Sequence, residues 1–224
     1  MQDLSDPRGF GYGRATVQAE IGGRTYRLAA LDGFEENVGA VYRTLGGRNT
    51  GRDPGDWMPM FGVLWPGAVA LAERVAAEDV AGLDVLELGC GLGLPAIVAA
   101  SRRARVVATD NHPHAGAFLA ANARHNGVEV SFAELDWRDE DAVLPCPRFD
   151  RVIASDLLYS AQLVPLVVGQ LARWLAEDGR AWLVDPGRLA LPSFEAEARR
   201  VGLQVEVDVL DEGERELFGI DISW

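Results

Sequence analysis

The chain has 224 residues, of which 21 are Lys or Arg and 34 are Asp or Glu, so its net charge is −13 at pH 7. This negative charge works against binding to phosphate backbones, and nucleic acid is therefore not expected as a partner. No apolar run approaches the ~20 residues of a membrane-spanning helix, and the start of the chain lacks the basic-then-apolar pattern of a secretory signal, which predicts a cytoplasmic protein without a membrane partner.

The N-terminal residues 1–56 differ in character from the rest of the chain. The stretch ATVQAEIGGRTYRLAAL alternates apolar and polar residues around Gly22 and Gly23, a pattern typical of a β-hairpin. The later stretch TLGGRNTGRDPGD is polar and rich in glycine. We therefore predict an N-terminal extension over residues 1–56 and a second domain over residues 57–224, and the role of the extension stays open.

From residue 57 onward, short apolar runs alternate with helical patterns. Helices are predicted over 68–78, 94–102, 114–126 and 160–176. Strands are predicted over 84–88, 105–109, 129–133, 150–155, 179–184, 203–210 and 217–222. The alternation indicates an α/β fold with an open, mostly parallel sheet of seven strands and helices on both faces. The last two strands are joined by only DEGERE, too short for a parallel crossover, so we expect a C-terminal antiparallel hairpin.

A glycine-rich turn, GCGLG, connects the first strand of this sheet to the following helix. Gly89, Gly91 and Gly93 lack Cβ atoms, which lets backbone amides approach a ligand at the edge where open α/β sheets bind nucleotides. The spacing departs from the dinucleotide fingerprint because Leu94 stands where the third glycine belongs, and a glycine-lysine phosphate loop is absent. A tight turn that binds no ligand is the alternative interpretation.

Three carboxylates lie in or shortly after the strands that are predicted around this loop. Glu87 precedes the first glycine by two residues, and its negative charge disfavours a pyrophosphate but suits a cationic or amino-bearing ligand. Asp110 ends the neighbouring strand, where a carboxylate commonly binds ribose hydroxyls, although it could instead cap the next helix. After the third strand, Asp136 is a candidate for the adenine amino group. Trp137 is a candidate for an apolar contact with the ring, or for simple packing under a loop.

Three motifs, VLELGCGLG, VVATD and AELDW, resemble in order and spacing the cofactor motifs of the class I, seven-stranded S-adenosylmethionine methyltransferases, which have a Rossmann-like sheet. Three more, FGVLWPGAVALAERV, ASDLLY and VDPGR, resemble the protein lysine methyltransferases that include the electron-transfer-flavoprotein β-subunit enzyme. The resemblance covers residues 57–224 and implies S-adenosylmethionine as cofactor.

The same resemblance implies roles for individual residues. Trp65 is expected near the cofactor, the first two loop glycines around its amino acid part, Asp110 at the ribose and Trp137 beside the adenine. Together, the motifs and the resemblance give the following candidate cofactor-binding residues: Trp65, Glu87, Gly89, Cys90, Gly91, Gly93, Asp110, Asn111, Asp136, Trp137 and Ser155.

The motif SDLLYS follows the fourth strand, next to the switch point of such sheets, and places Asp156 and Tyr159 where an acceptor is expected. Methyl transfer from a sulfonium is an in-line displacement that needs no metal, but a lysine amine must first lose a proton, which costs about 4.6 kcal/mol at pH 7. We predict that Asp156 orients the amine and that Tyr159 closes the channel or hydrogen-bonds the amine. The alternatives are that Asp156 caps the following helix and that Tyr159 packs beneath it.

Metal and redox chemistry are not expected. Cys90 and Cys146 form neither a disulfide framework nor a metal-binding spacing. His112, His114 and His125 have no ligand spacing with the cysteines, and we predict surface positions for them.

The leading functional hypothesis is a monomeric S-adenosylmethionine-dependent methyltransferase that methylates lysine side chains of a protein substrate. One alternative keeps the cofactor and changes the acceptor to a nicotinamide-like molecule or another small amine. A second is a cofactor-binding module without turnover. A third alternative is a nicotinamide-dependent dehydrogenase, which only the glycine loop supports.

Overall fold

A computed structural model describes residues 12–33, 35, 37–39, 58–187, 189–211 and 216–224 of the chain. The strands are β1 (Arg14–Ile21), β2 (Arg24–Leu31), β3 (Asp84–Leu88), β4 (Arg105–Asp110), β5 (Ser131–Glu134), β6 (Phe149–Ser155), β7 (Leu175–Asp185), β8 (Gln204–Asp211) and β9 (Leu217–Ser223). The α-helices with described bounds are α1 (Pro66–Ala77), α2 (Leu94–Ser101), α3 (Ala115–His125), α4 (Val164–Trp174) and α5 (Leu191–Arg200). Short 3-10 helices lie at Pro59–Gly62 and Ala161–Leu163.

The main sheet has the strand order β5-β4-β3-β6-β7-β9-β8. Strands β3 to β7 run parallel, whereas β9 runs antiparallel to both β7 and β8. The predicted seven-stranded sheet and its C-terminal hairpin are therefore confirmed. The chain moves outward from β3 to β5 and then returns to β6 on the other side of β3. This reversal opens a crevice at the carboxyl ends of β3 and β6, where open α/β sheets bind ligands.

One face of the sheet is covered by α1, α2 and α3, which bury Leu71, Ile97 and Phe118 in a common core. The N-terminal hairpin β1–β2 packs on this layer and adds Ile21 and Leu28 to the same core. The predicted hairpin is confirmed. The boundary at residues 56 and 57 stays a prediction, because the segment around it lies outside the described residues.

The opposite face is covered by α4 and α5, whose buried residues include Val167, Leu171 and Phe194. Helix α5 was missed by the sequence prediction. Its apolar positions Leu191, Phe194 and Ala198 follow helical spacing, but the rest of the segment is polar and contains Pro192, which is tolerated only because it lies in the first turn.

The predicted helix over 160–176 was wrong at both ends. Ser160 accepts a hydrogen bond from the Gln162 amide and caps the 3-10 helix, and α4 begins only at Val164, with Pro165 in its first turn. Strand β7 begins directly after α4, at Leu175. Part of the apolar run that was assigned to the helix therefore belongs to the sheet.

Within the described ranges, no helix combines the length and the apolar character needed to cross a bilayer. Among the same residues, no group of three or more His, Cys, Asp or Glu side chains is arranged to hold a metal ion.

Candidate active site

A cavity of about 610 Å³ opens at the carboxyl ends of β3, β4 and β6. Its volume lies within the range of about 300–1,000 Å³ typical of small-molecule sites. The predicted site residues that line it are Trp65, Gly89, Cys90, Gly91, Gly93, Asp110, Asn111, Asp136, Trp137, Ser155, Asp156 and Tyr159. Sequence reasoning missed a further set of lining residues, which includes Met58, Met60, Phe61, Val63, Leu64, His112, Gln162, Leu163 and Leu166. His112 follows β4, and the others come from the segments before α1 and around the start of α4.

The glycine loop between β3 and α2 requires glycine for two reasons. Gly89, Gly91 and Gly93 have φ values of +63°, +51° and +80°, which place all three in the left-handed region. A Cβ atom on Gly91 would also lie 3.0 Å from the backbone oxygen of Phe61. The loop therefore approaches the 58–62 segment more closely than a side chain allows.

Asp110 ties the loop to the end of β4. Its carboxylate accepts hydrogen bonds from the backbone amides of Gly91, at 2.9 Å, and His112, at 2.8 Å. Burial raises the pKa of this carboxyl group above its ordinary value, although the bonds from the backbone amides act in the opposite direction. Each carboxylate oxygen accepts more than one hydrogen bond, so the group retains capacity for ligand hydroxyls.

Glu87 differs from the prediction, because it does not line the cavity. Its side chain is 2% exposed and accepts a hydrogen bond of 2.9 Å from the Ala96 amide in the first turn of α2. Burial raises the pKa of Glu87 well above its ordinary value, and the nearby Asp110 charge acts in the same direction. Glu87 therefore joins β3 to the helix, and the expected contact between its carboxylate and a cationic ligand is not supported by this placement.

The replacement Glu87→Gln should raise the free energy of unfolding at neutral pH relative to the unchanged protein. A carboxyl group with a raised pKa contributes stability below its unfolded-state value near 4.5, and this contribution is lost as pH rises through the folded-state value. The difference between variant and parent should grow from pH 4.5 upward, as measured by urea unfolding. The exposed Glu177→Gln is the control for loss of one charge. A difference that shrinks as pH rises would contradict this account.

Asp136 and Trp137 form the rim of the cavity beyond β5. The Asp136 carboxylate is paired with the Arg138 guanidinium at 2.8 Å, and both groups are partly exposed. The Trp137 carbonyl accepts a hydrogen bond from the buried Gln170 side chain of α4, at 3.0 Å. Trp65, which precedes α1, also lines the cavity, and its indole donates to the Met60 carbonyl at 3.1 Å.

Asp156 and Tyr159 follow β6 at the centre of the carboxyl edge. Asp156 has a φ of +58°, and its amide donates to the Val184 carbonyl at the end of β7. Its carboxylate lies against the first turn of α1, where a Cβ atom on Gly67 would come within 2.2 Å of Oδ2. Since Ser160 caps the following 3-10 helix, the capping alternative for Asp156 does not hold.

Tyr159 lies at the mouth of the cavity with 66% of its surface exposed, so it does not pack beneath the next helix. The loop that presents it is held by buried Asp185, which accepts a hydrogen bond of 3.1 Å from the Leu158 amide.

The predicted surface positions of His112 and His114 were wrong, because both side chains are buried. The His112 ring packs on Phe61 at a centroid distance of 4.2 Å, and the His114 ring meets Tyr12 edge-on at 5.7 Å. Long-range packing of this kind leaves no periodic signal in the sequence. His125 is exposed, as predicted.

Comparison with known proteins identifies a family and several relatives of this chain. Residues 59–185 match a family model described as lysine methyltransferase. The protein N-lysine methyltransferase METTL21A of Danio rerio is 33% identical over 132 residues, which is 55% of this chain and 60% of that protein. The electron transfer flavoprotein beta subunit lysine methyltransferase of Xenopus laevis is 29% identical over 170 residues, which is 74% of this chain and 67% of that protein.

Among solved structures, a T. thermophilus 16S rRNA N2 G1207 methyltransferase, in complex with AdoMet and guanosine, superposes with a TM-score of 0.63 at 20% identity. The match covers 95% of this chain and 51% of that one, and at this identity it establishes the fold alone. The family model covers more than half of the chain and spans the glycine loop, Asp110 and Asp156. The chain therefore belongs to the lysine methyltransferase family.

Proposed function

We propose that the protein is an S-adenosylmethionine-dependent N-methyltransferase whose acceptor is a lysine side chain of another protein. The observation that carries the proposal is the cavity in which the left-handed glycine loop and Asp156 face a common space. Membership of the lysine methyltransferase family supports it, as do the names of the two relatives.

The cavity residues fit the cofactor. The backbone of the glycine loop lines the cavity, where its amides would approach the amino acid part of the cofactor. Asp110 would accept hydrogen bonds from the ribose, and Trp137 would border the adenine. When bound, S-adenosylmethionine supplies a sulfonium methyl group that passes to a neutral amine by in-line displacement.

The protein must deliver the amine in neutral form, at a cost of about 4.6 kcal/mol at pH 7 for an ordinary lysine. The Asp156 carboxylate attracts the entering ammonium group and then orients the amine by accepting a hydrogen bond from it, while the proton leaves to water. A carboxylate is a much weaker base than an amine, so we assign Asp156 an orienting role. Leu163 and Leu166 line the same cavity and give the acceptor end an apolar wall.

A polypeptide acceptor is favoured over a small molecule by the surroundings of the cavity. Tyr159 is largely exposed at the mouth, and Leu189, which follows β7 at the same edge of the sheet, is fully exposed. Exposed apolar side chains around a cavity are typical of protein-binding surfaces. A small-molecule amine remains the second candidate, since the cavity itself is large enough to hold one beside the cofactor.

The test is a transfer assay with methyl-labelled S-adenosylmethionine and a cell lysate, followed by separation of polypeptides from small molecules. We expect label in the polypeptide fraction and methyl-lysine after hydrolysis. Label only in the small-molecule fraction would reject the lysine assignment in favour of the second candidate. Calorimetric binding of NADH without binding of S-adenosylhomocysteine would reject the methyltransferase altogether.

The replacement Gly67→Ala should lower kcat for methyl transfer at least about tenfold while the protein stays folded. The new Cβ atom would overlap Asp156 Oδ2 and displace the carboxylate. The higher helix propensity of alanine, about 1 kcal/mol in a helix interior and less in this first turn, offsets part of the strain. Gly169→Ala, at an exposed position of α4 with no atom within 4 Å of the added Cβ, is the matched control and should keep full activity. Steady-state kinetics and thermal unfolding of both variants test the prediction, which an unchanged kcat in Gly67→Ala would contradict.

The remaining properties are predictions of the sequence. We propose a monomer that acts in the cytoplasm and does not bind nucleic acid, in keeping with the net charge of −13.

A further inference from the structure

Two buried asparagines of α3 hold the N-terminal hairpin. Asn122 Oδ1 accepts from the Ala29 amide at 2.7 Å, and Asn122 Nδ2 donates to the Ala29 carbonyl at 3.3 Å. One helical turn later, Asn126 Oδ1 accepts from the Arg27 amide at 3.1 Å, and Asn126 Nδ2 donates to the Arg27 carbonyl at 2.8 Å. Each side-chain amide thus pairs with the free edge of β2 in the way that a neighbouring strand would.

Asn122 makes one contact that Asn126 lacks. Its Nδ2 also donates to the carbonyl of Leu92, at 3.0 Å, and Leu92 belongs to the glycine loop and lines the cavity. The side chain of Asn122 is completely buried. Loss of this donor would leave the Leu92 carbonyl, which is also buried, without its bond in a place with little water, and such groups are costly.

The glycine loop is therefore held at two successive residues. Asp110 fixes it from the β4 side through the Gly91 amide, and Asn122 fixes it from the α3 side through the Leu92 carbonyl. Three left-handed glycines make this loop conformationally permissive, so external bonds are needed to define its shape. Preorganisation of a binding loop lowers the entropy lost when a ligand binds.

We propose that Asn122 is a positioning residue for the cofactor loop, which it holds through the Leu92 carbonyl while it is itself held by β2. The inference rests on the proposed function, because it names S-adenosylmethionine as the ligand of the loop. Asn122 does not line the cavity itself and acts on the site through Leu92.

The test compares Asn122→Ala with Asn126→Ala, since the two side chains make equivalent bonds to β2 and only the first reaches the glycine loop. Calorimetry with S-adenosylhomocysteine should give a Kd about tenfold higher for Asn122→Ala than for Asn126→Ala, the effect of roughly one lost buried hydrogen bond. In steady-state assays, KM for S-adenosylmethionine should rise similarly, with kcat changed less than about threefold. Amide hydrogen exchange over residues 89–93 of the ligand-free protein should accelerate in Asn122→Ala alone.

Equal Kd values and equal exchange rates in the two alanine variants would overturn the inference while leaving the proposed function intact. Failure of the parent protein to bind S-adenosylhomocysteine would reject the proposed function and the inference with it. If Asn122→Ala does not fold, Asn122→Leu replaces it, because leucine fills the space of the side chain and removes the donor to the Leu92 carbonyl without burying a charge. It should show the same rise in Kd, and a Kd equal to that of Asn126→Ala would again overturn the inference.

Discussion

Asp156→Asn should lower kcat for lysine methylation by about two orders of magnitude and leave the Kd of S-adenosylhomocysteine within about threefold of the parent value. The amide keeps the size of the side chain and tolerates the left-handed backbone at this position, where φ is +58°. It removes the negative charge that attracts the ammonium group and orients the amine. Steady-state kinetics with the unmethylated form of an acceptor protein identified by mass spectrometry give kcat, and calorimetry gives the Kd of S-adenosylhomocysteine.

Asp178→Asn is the matched control, because Asp178 is an exposed residue near the start of β7, away from the carboxyl edge of the sheet. It should retain the parent kcat. Near-normal turnover in Asp156→Asn would show that the carboxylate is not needed, and the acceptor site would then have to be sought elsewhere along the cavity.

Gly91→Ala should weaken binding of S-adenosylhomocysteine by at least about thirtyfold, which corresponds to about 2 kcal/mol. Alanine in the left-handed region costs about 1–2 kcal/mol, and here the added Cβ atom also lies 3.0 Å from a backbone oxygen that cannot turn aside. The loop must shift to relieve this contact, which moves the amides that face the ligand. Calorimetry gives the affinity, and urea unfolding gives the accompanying loss of stability.

Gly82→Ala separates the loss of affinity caused by the shape of the loop from the loss of stability caused by a left-handed alanine. Gly82 has a φ of +76°, but a Cβ atom there would meet nothing within 4 Å, and the residue lies before β3 at the edge opposite to the cavity. This variant should lose about 1–2 kcal/mol of stability with an unchanged Kd. If both variants lost affinity equally, the effect of Gly91→Ala would reflect general destabilisation and not the shape of the loop.

The sheet was predictable from sequence because its strands are short apolar runs between clear turn residues. The run at Asp84–Leu88 agrees with β3 in both bounds, and the DEGERE connection correctly indicated the antiparallel end. The polar segment that forms α5 gave a weaker signal, since only three of its ten residues are buried.

The cavity lining was predictable where motifs end strands, because parallel strands bring their carboxyl ends to one edge. The direction in which a side chain points was not predictable. The side chain of Glu87 points away from the cavity, and its carboxylate accepts a hydrogen bond from the Ala96 amide. Gly67 and Asp156 are 89 positions apart in the sequence, and their close approach depends on how α1 packs against β6. No local pattern encodes such a contact.

The hairpin also determines where the chain tolerates shortening. A protein that began at residue 57 would keep every predicted motif and every described residue that lines the cavity. It would also uncover the apolar surface that Ile21, Tyr26 and Leu28 bury, and it would leave the two α3 asparagines facing water. Such a fragment would be prone to aggregation. The smallest autonomous folding unit therefore extends beyond the sequence motifs to include the hairpin.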